Sequence, residues 1–434
     1  MKKILSIILC ISLALPLASC AKKKAEEEHS IEVAVLESAY GSEMWRQICN
    51  EFATETGITV KLTAHKNLED VISARMKGGD FPDVVHLATG REAGLTETMI
   101  RENLLHDLSG VLASRIPGED KTVSEKLTDG FVSTLATNPY SDGKTYLAPM
   151  FYSPCGLFYN ETLLKDNGWE LPETWDEMWE LGDKALSRGI YLFTYPTAGY
   201  FDAFIYALLA QAGGSDFYNR AMRYEDGIWE SDEAAAVFDI VARLAKYTEP
   251  TTVANASGEN YLKNQQLVLS GKAIFMPNGT WVTDEMKDAP RVDNFKWGFC
   301  ALPALSDGGD RYAFTFIEQC WIPSEAKNKS DAEKFVTFLY SDRAAEIFKS
   351  HGAIQPIDGI DEGMSGDDLL FYGIYADGAK AVMGGFAATD PLEGVSIYES
   401  LFDAVNSVMS GDKTKEEWIS GVEAASDALR QKLK

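Results

Sequence analysis

The sequence predicts an α/β fold divided into two domains, and three observations predict it. Strand-like and helical patterns alternate from residue 31 to residue 85, the order that builds a parallel sheet with right-handed crossovers. The chain has 434 residues and is 45% hydrophobic, more than one core usually accommodates. Farther along, the punctuation turns helical, with capping signatures ahead of apolar stripes.

The elements follow in order. Ile31 to Leu36 is a β-rich apolar run, and Ser42 to Thr54 then places Met44, Trp45, Ile48, Cys49 and Phe52 on one helical face, with Gly57 as the stop. Ile58 to Thr63 reads as a second strand. A polar helix runs to Gly78-Gly79, and Phe81-Pro82-Asp83-Val84-Val85 introduces a third strand. Sheets of this kind bind ligands in loops at the carboxyl ends of their strands, here Glu37 to Gly41, His65 to Asn67 and Ala88 to Glu92. Thr174 with Glu177 makes a capping box before a stripe of Trp175, Met178, Trp179, Ala185 and Leu186, and Ser330 with Glu333 makes a second before Phe335, Val336 and Leu339. Helices also fit Asp232 to Tyr247 and Glu416 to Leu433. No internal repeat and no long linker appears, so the chain is expected to cross between its domains more than once.

The N-terminus carries an address. Lys2 and Lys3 precede an apolar run from Ile4 to Leu17, too short to cross a bilayer that needs roughly 20 residues, and residues 1–19 have the layout of a secretory signal peptide. Leu17-Ala18-Ser19-Cys20 resembles the lipobox of bacterial lipoproteins, which implies cleavage before Cys20 and a lipid on its thiol; the alternative is a plain signal peptide with a chance cysteine. Residues 20–30, rich in lysine and glutamate, read as a flexible tether. Cys49, Cys155, Cys300 and Cys320 are widely spaced and sit among apolar neighbours, as packed thiols do. A disulfide stays open in an exported protein, with Cys300 and Cys320 the pair to test.

Chemistry is conspicuous mainly by what is missing. The net charge of −26 repels phosphate backbones and anionic headgroups, so nucleic acid is not an expected partner. Gly143-Lys144-Thr145 ends like a phosphate-binding loop, but Asn138 stands where its first glycine belongs. The five histidines are scattered, and 66 acidic residues make chance carboxylate pairs plentiful. No metal or cofactor is implied. What the sequence offers instead is aromatic residues beside turns: Asn278-Gly279-Thr280-Trp281 after the strand-like Ala273 to Met276, Phe151-Tyr152 ahead of Gly156-Leu157-Phe158-Tyr159, and Tyr195-Pro196 with Gly199-Tyr200. A pyranose has an apolar C–H face that lies on an aromatic ring while its hydroxyls meet carboxylates, amides and arginine. Taken singly most of these rings are core residues, and Trp281 after a loop glycine is the exception.

The lipobox, the Phe81 to Val85 strand, Gly156-Leu157-Phe158-Tyr159-Asn160, Gly168-Trp169 with Pro172 to Glu177, Gly271-Lys272-Ala273 running into Asn278 to Trp281, and Trp321-Ile322-Pro323 before Ala332 to Ser341 form an ordered set. Together they resemble the family 1 extracellular solute-binding proteins of carbohydrate ABC importers. A narrower resemblance, to binders of N-acetylglucosamine and chitobiose, rests on Gly90 to Thr98 and on Trp297-Gly298-Phe299 with Ala301-Leu302-Pro303. Cys155 and Phe314-Thr315-Phe316 depart from it, where many members carry small residues.

The resemblance implies a two-lobed, type II periplasmic-binding-protein-like fold with the ligand cleft between the lobes. Residues 31–150 with 311–353 would form the first lobe, and 151–310 with 354–434 the second. It implies a monomeric, non-catalytic lipid-anchored receptor that captures a mono- or oligosaccharide by closure and delivers it to permease subunits. An exported glycoside hydrolase is the competing class. The expected ligand-binding residues are Trp281, Asn278, Tyr152, Tyr195, Tyr200, Glu37, Tyr40, Asp83, Arg91, Glu92 and Glu318; for the acidic members, capping or a solvated face is the alternative.

Overall fold

The computed structural model describes residues 29–433 except Ala39, Glu92, Asp129 and Ser133. The leader, Cys20, most of the tether and Glu92 therefore lie outside the described residues. The opening alternation folds as expected. Strand β1 (Ser30–Leu36) lies between β2 (Thr59–His65) and β3 (Val84–Ala88), parallel to both. Helix α1 (Glu43–Thr56) buries Met44, Trp45, Ile48, Cys49 and Phe52, and it ends where Gly57, at φ 74°, returns its N–H to Ala53 O. Helix α2 (Leu68–Lys77) connects β2 towards β3 and buries Leu68, Glu69, Ile72 and Met76.

Two long strands tie the halves together. Strand β4 (Ala148–Asn160) runs antiparallel to β8 (Tyr312–Trp321) over its first half. Its second half pairs with β6 (Ala273–Gly279) and β7 (Trp297–Cys300). Strand β5 (Tyr191–Phe193) is parallel to β6, and β9 (Lys380–Val382) to β8. The main sheet order is β2-β1-β3-β8-β4-β6-β5, so β4 and β8 lie at its centre, between the parallel β1–β3 block and the β5–β6 block.

Separate apolar clusters form on either side of that centre. One packs α1 against β1 and against Phe335 and Phe338. The other gathers Trp175, Trp179, Phe204, Phe238 and Trp418. The Thr174–Glu177 capping box forms around helix Trp175–Leu186, where Trp175, Met178, Trp179 and Ala185 are buried and Leu186 half-buried. Helices Asp232–Leu244 and Lys415–Arg430 match their expected positions. Among the described residues no helix is long and apolar enough to cross a membrane.

Two expectations are corrected. The Ser330–Glu333 box does not form. Helix Lys329–Phe338 begins two residues earlier, with Asn328 in place of Ser330 as its N-cap, because Asn328 is held by Asp83, and Glu333 instead bonds His106 Nε2 at 2.8 Å. Nor do Cys300 and Cys320 pair, since all four described cysteines are free and buried. Cys300 lies opposite Leu157 and Cys320 opposite Ala148 on the same strand β4, about 30 Å apart at the rise of an extended chain and far beyond disulfide reach.

Candidate functional site

Side chains alternate along the crossing strands, and that alternation decides which residues share a face. On β8, Phe314, Phe316 and Glu318 point one way and Thr315, Ile317 and Gln319 the other. On β4, Ser153 lies opposite Phe316 and Cys155 opposite Phe314. Phe316 is 38% exposed, although Thr315 and Ile317 beside it are buried. A phenyl ring left open in the centre of a sheet marks a surface that nothing in the described chain covers.

Trp281 stands over this face. Its ring centroid is 5.6 Å from Phe316 and 6.1 Å from Tyr200, and Tyr200 is in turn 5.8 Å from Tyr261. All three are half-buried, so the rings form a curved wall with open edges. Two features fix it. The Tyr200 hydroxyl donates to Glu285 Oε1, while Gln265 donates to Glu285 Oε2. Gly279 lets the indole lie against the backbone, because a Cβ there would stand 2.6 Å from Trp281 Cζ2 and closer still to Cη2 and Cζ3. Asn278 and Gly279 belong to the end of β6 rather than to a loop. Asn278 is 1% exposed, accepts the Gly279 N–H, and its amide nitrogen has no partner among the described residues.

The parallel β1–β3 block brings polar groups from the carboxyl ends of β1 and β3. Glu37 is half-buried just after β1. Tyr40 packs edge-on to Phe151 at 5.8 Å; burial raises its phenol above the usual range, with the neighbouring Ser153 pulling the other way. Arg91 is gripped bidentately by the buried Glu69 on α2, at 2.7 and 3.0 Å. Glu318 sits opposite Ala88 at the end of β3, its side chain 21% exposed. Burial pushes its carboxyl up to about 7, with Arg91 pulling the other way. Its Oε2 is 3.3 Å from His86 Nε2 but not aligned for a hydrogen bond, and burial holds His86 down at about 3, hence neutral. Ser38 Oγ and Glu318 Oε2 both lack partners among the described residues.

Three predicted residues lie elsewhere. Tyr152 is on the opposite face of β4 and packs its ring 5.0 Å from both Phe131 and Tyr372. Tyr195 is fully buried and donates to Asn406 Oδ1. Asp83 precedes β3, at the amino end of the strand, where it accepts from the N–H groups of Glu32 and Asn328. Sequence reasoning missed Phe316, Tyr261, Ser153 and Glu69. Phe316 was legible in the alternation Phe314, Phe316, Glu318 on one strand; Ser153 depends on the register of β4 on β8, and Glu69 gave no signal.

Other concavities carry less. One, about 600 Å³, lies between helices Glu161–Asn167 and Trp175–Leu186 and contains none of these residues. Among the described residues one acidic group, Asp226, Glu423 and Asp427, is compact enough to hold a cation. Arg430 already reaches Asp226 at 2.6 Å and Asp427 at 2.9 Å, and Glu423 accepts the N–H groups of Gly227 and Trp229.

The arrangement is an open aromatic wall about Phe316 on β8, with Glu318 two residues along the same face and Tyr40 and Arg91 near its carboxyl. The profile of the family described as bacterial extracellular solute-binding protein matches residues 37–346. The chain belongs to this family. Among its relatives, a diacetylchitobiose-binding protein of Streptomyces coelicolor is 24% identical over 75% of this chain and 68% of its own. A maltooligosaccharide ABC transporter solute-binding lipoprotein of Streptococcus pneumoniae is 24% identical over 91% and 88%. Of solved folds, the apo form of RafE from Streptococcus pneumoniae superposes with a TM-score of 0.68 at 19% identity, covering 93% of this chain and 98% of its own. A family 1 extracellular solute-binding protein from Bifidobacterium longum subsp. infantis gives 0.69 at 18% identity, covering 93% and 100%. The two-lobed fold is that of these solute-binding proteins, and nothing in the likenesses supports a glycoside hydrolase.

Proposed function

We propose that this solute-binding protein captures an uncharged saccharide between its lobes and hands it, unaltered, to the permease of an ABC-type importer. The observation that carries the reading is the Trp281 wall: an open indole held flat against Gly279, with Tyr200 and Phe316 beside it, Glu318 next along the Phe316 face of β8, and Tyr40 and Arg91 near Glu318. Rings receive the apolar C–H face of a sugar, and the carboxylate, phenol and guanidinium take its hydroxyls. Relatives that bind diacetylchitobiose and maltooligosaccharides support the ligand class, and an N-acetylated sugar is its narrower form.

In this reading residues 31–150 with 311–353 form one lobe and 151–310 with 354–434 the other, and β4 and β8 carry the hinge. A ligand touching both lobes favours the closed form by the difference in its affinity for the two states. Lipid on Cys20 would hold a monomer at the outer face of the membrane without a spanning helix. A thermal-shift screen of the purified protein against mono- and disaccharides tests the reading. A ligand at a hundred times its dissociation constant stabilises by about 2.7 kcal/mol, and a flat response across the screen would sink it.

A further inference from the structure

We propose that Phe316 is a specificity-determining residue that makes the ligand an oligosaccharide of two or more rings; this rests on the saccharide reading above. The argument is geometric. Phe316 and Trp281 are 5.6 Å apart between centroids, but their planes are inclined by 60°. A single sugar ring is a nearly flat, rigid platform, so it can lie on one of these two surfaces and not on both. A glycosidic linkage turns the second ring out of the plane of the first, and two linked rings can cover both surfaces at once.

The wall continues beyond Trp281. Tyr200 is inclined by 68° to Trp281, and Tyr261 by 34° to Tyr200. Successive facets thus lie in different planes, which suits a bent chain of sugars better than one ring. Phe316 also cannot be dismissed as a core residue at a strand end. It is the one position of β8 classed as exposed, with Ala313, Phe314, Thr315 and Ile317 buried around it. Phe314, on the same face, is held by stacking on Tyr206 at 4.9 Å, and at 5.2 Å it supports the Phe316 ring from the side. Glu318 comes next along this face; its Oε2 is buried against His86 at 3.3 Å, and the 21% of its side chain left open lies on the side of β8 that carries Phe316.

Calorimetry with the purified protein tests the inference, using three matched pairs: N-acetylglucosamine with N,N′-diacetylchitobiose, glucose with maltose, and galactose with lactose. The expected result is at least one pair in which the disaccharide binds about tenfold more tightly than its monomer. Phe316→Ala should then erase most of that preference, lowering disaccharide affinity about tenfold and monosaccharide affinity at most about twofold. Phe316→Leu fills the same space without a flat face and separates loss of the ring from collapse of the strand: it too should lose the preference while melting like the parent. A monosaccharide bound as tightly as its disaccharide, or a preference that survives Phe316→Ala, overturns the inference and leaves saccharide capture standing. Silence towards all six sugars overturns both.

Discussion

Gly279→Ala probes the wall without touching the ligand-facing ring itself. Gly279 lies in β6 opposite Cys155, and its φ is not in the left-handed region, so alanine meets no backbone strain there. What alanine adds is one methyl group, 2.6 Å from Trp281 Cζ2 and nearer to Cη2 and Cζ3. Ordinary carbon contacts begin at about 3.5 Å, so the indole must retreat by about 1 Å. Trp281 is half-buried rather than sealed in the core, so the fold should survive with a melting temperature within a few degrees of the parent. A stacked ring contributes about 0.5 to 1.5 kcal/mol beyond area burial, so displacement should weaken sugar binding about fivefold, against about tenfold for Trp281→Ala. The assay is calorimetry on both single variants and the double variant. If the glycine acts only through the indole, the double variant binds like Trp281→Ala, a coupling that contacting residues show. Full affinity in Gly279→Ala, or additive losses in the double variant, would refute the reasoning.

Three further outcomes are expected. Glu318 has its carboxyl raised from 4.5 to about 7 by burial, so the folded chain keeps a proton that the unfolded chain has released. Stability from this residue is therefore full below about pH 4.5 and is lost as pH rises through 7; Glu318→Gln should flatten that part of a melting-temperature profile relative to the parent, and parallel profiles would contradict it. Burial pushes the thiols of Cys49 and Cys300 up to about 12 and raises those of Cys155 and Cys320 well above the usual thiol range. All four should resist a thiol reagent in the native state and react on denaturation, with melting unaffected by reductant. Thr174→Ala removes a cap that satisfies the Glu177 N–H and should cost about 1 kcal/mol in denaturant unfolding, without altering sugar affinity.

The parts of the fold that were legible from sequence are those in which local pattern and tertiary packing agree. The α1 stripe is legible because Met44, Trp45, Ile48, Cys49 and Phe52 repeat at helical spacing and all five are buried. The Ser330 box failed because a distant residue, Asp83, captures Asn328 and resets the helix start. The site divided for the same reason. Trp281, Tyr200, Tyr40, Arg91 and Glu318 gather about the crossing strands, whereas Tyr152 and Ser153 differ by one residue and face opposite sides of the sheet. Register sets that parity, and it depends on pairing between residues more than a hundred positions apart. The Glu69 clamp on Arg91 was invisible for the same reason: a carboxylate in a polar helix looks solvated until the loop after β3 folds over it.

The central claim is that a saccharide is held between the lobes and released unchanged. Native mass spectrometry of the purified protein, incubated with a mixture of short oligosaccharides, reads both halves of the claim in one spectrum. The account predicts a single adduct per chain whose mass equals that of an intact sugar in the mixture. A spectrum without adduct, or one carrying only shortened sugars that were not supplied, would contradict it.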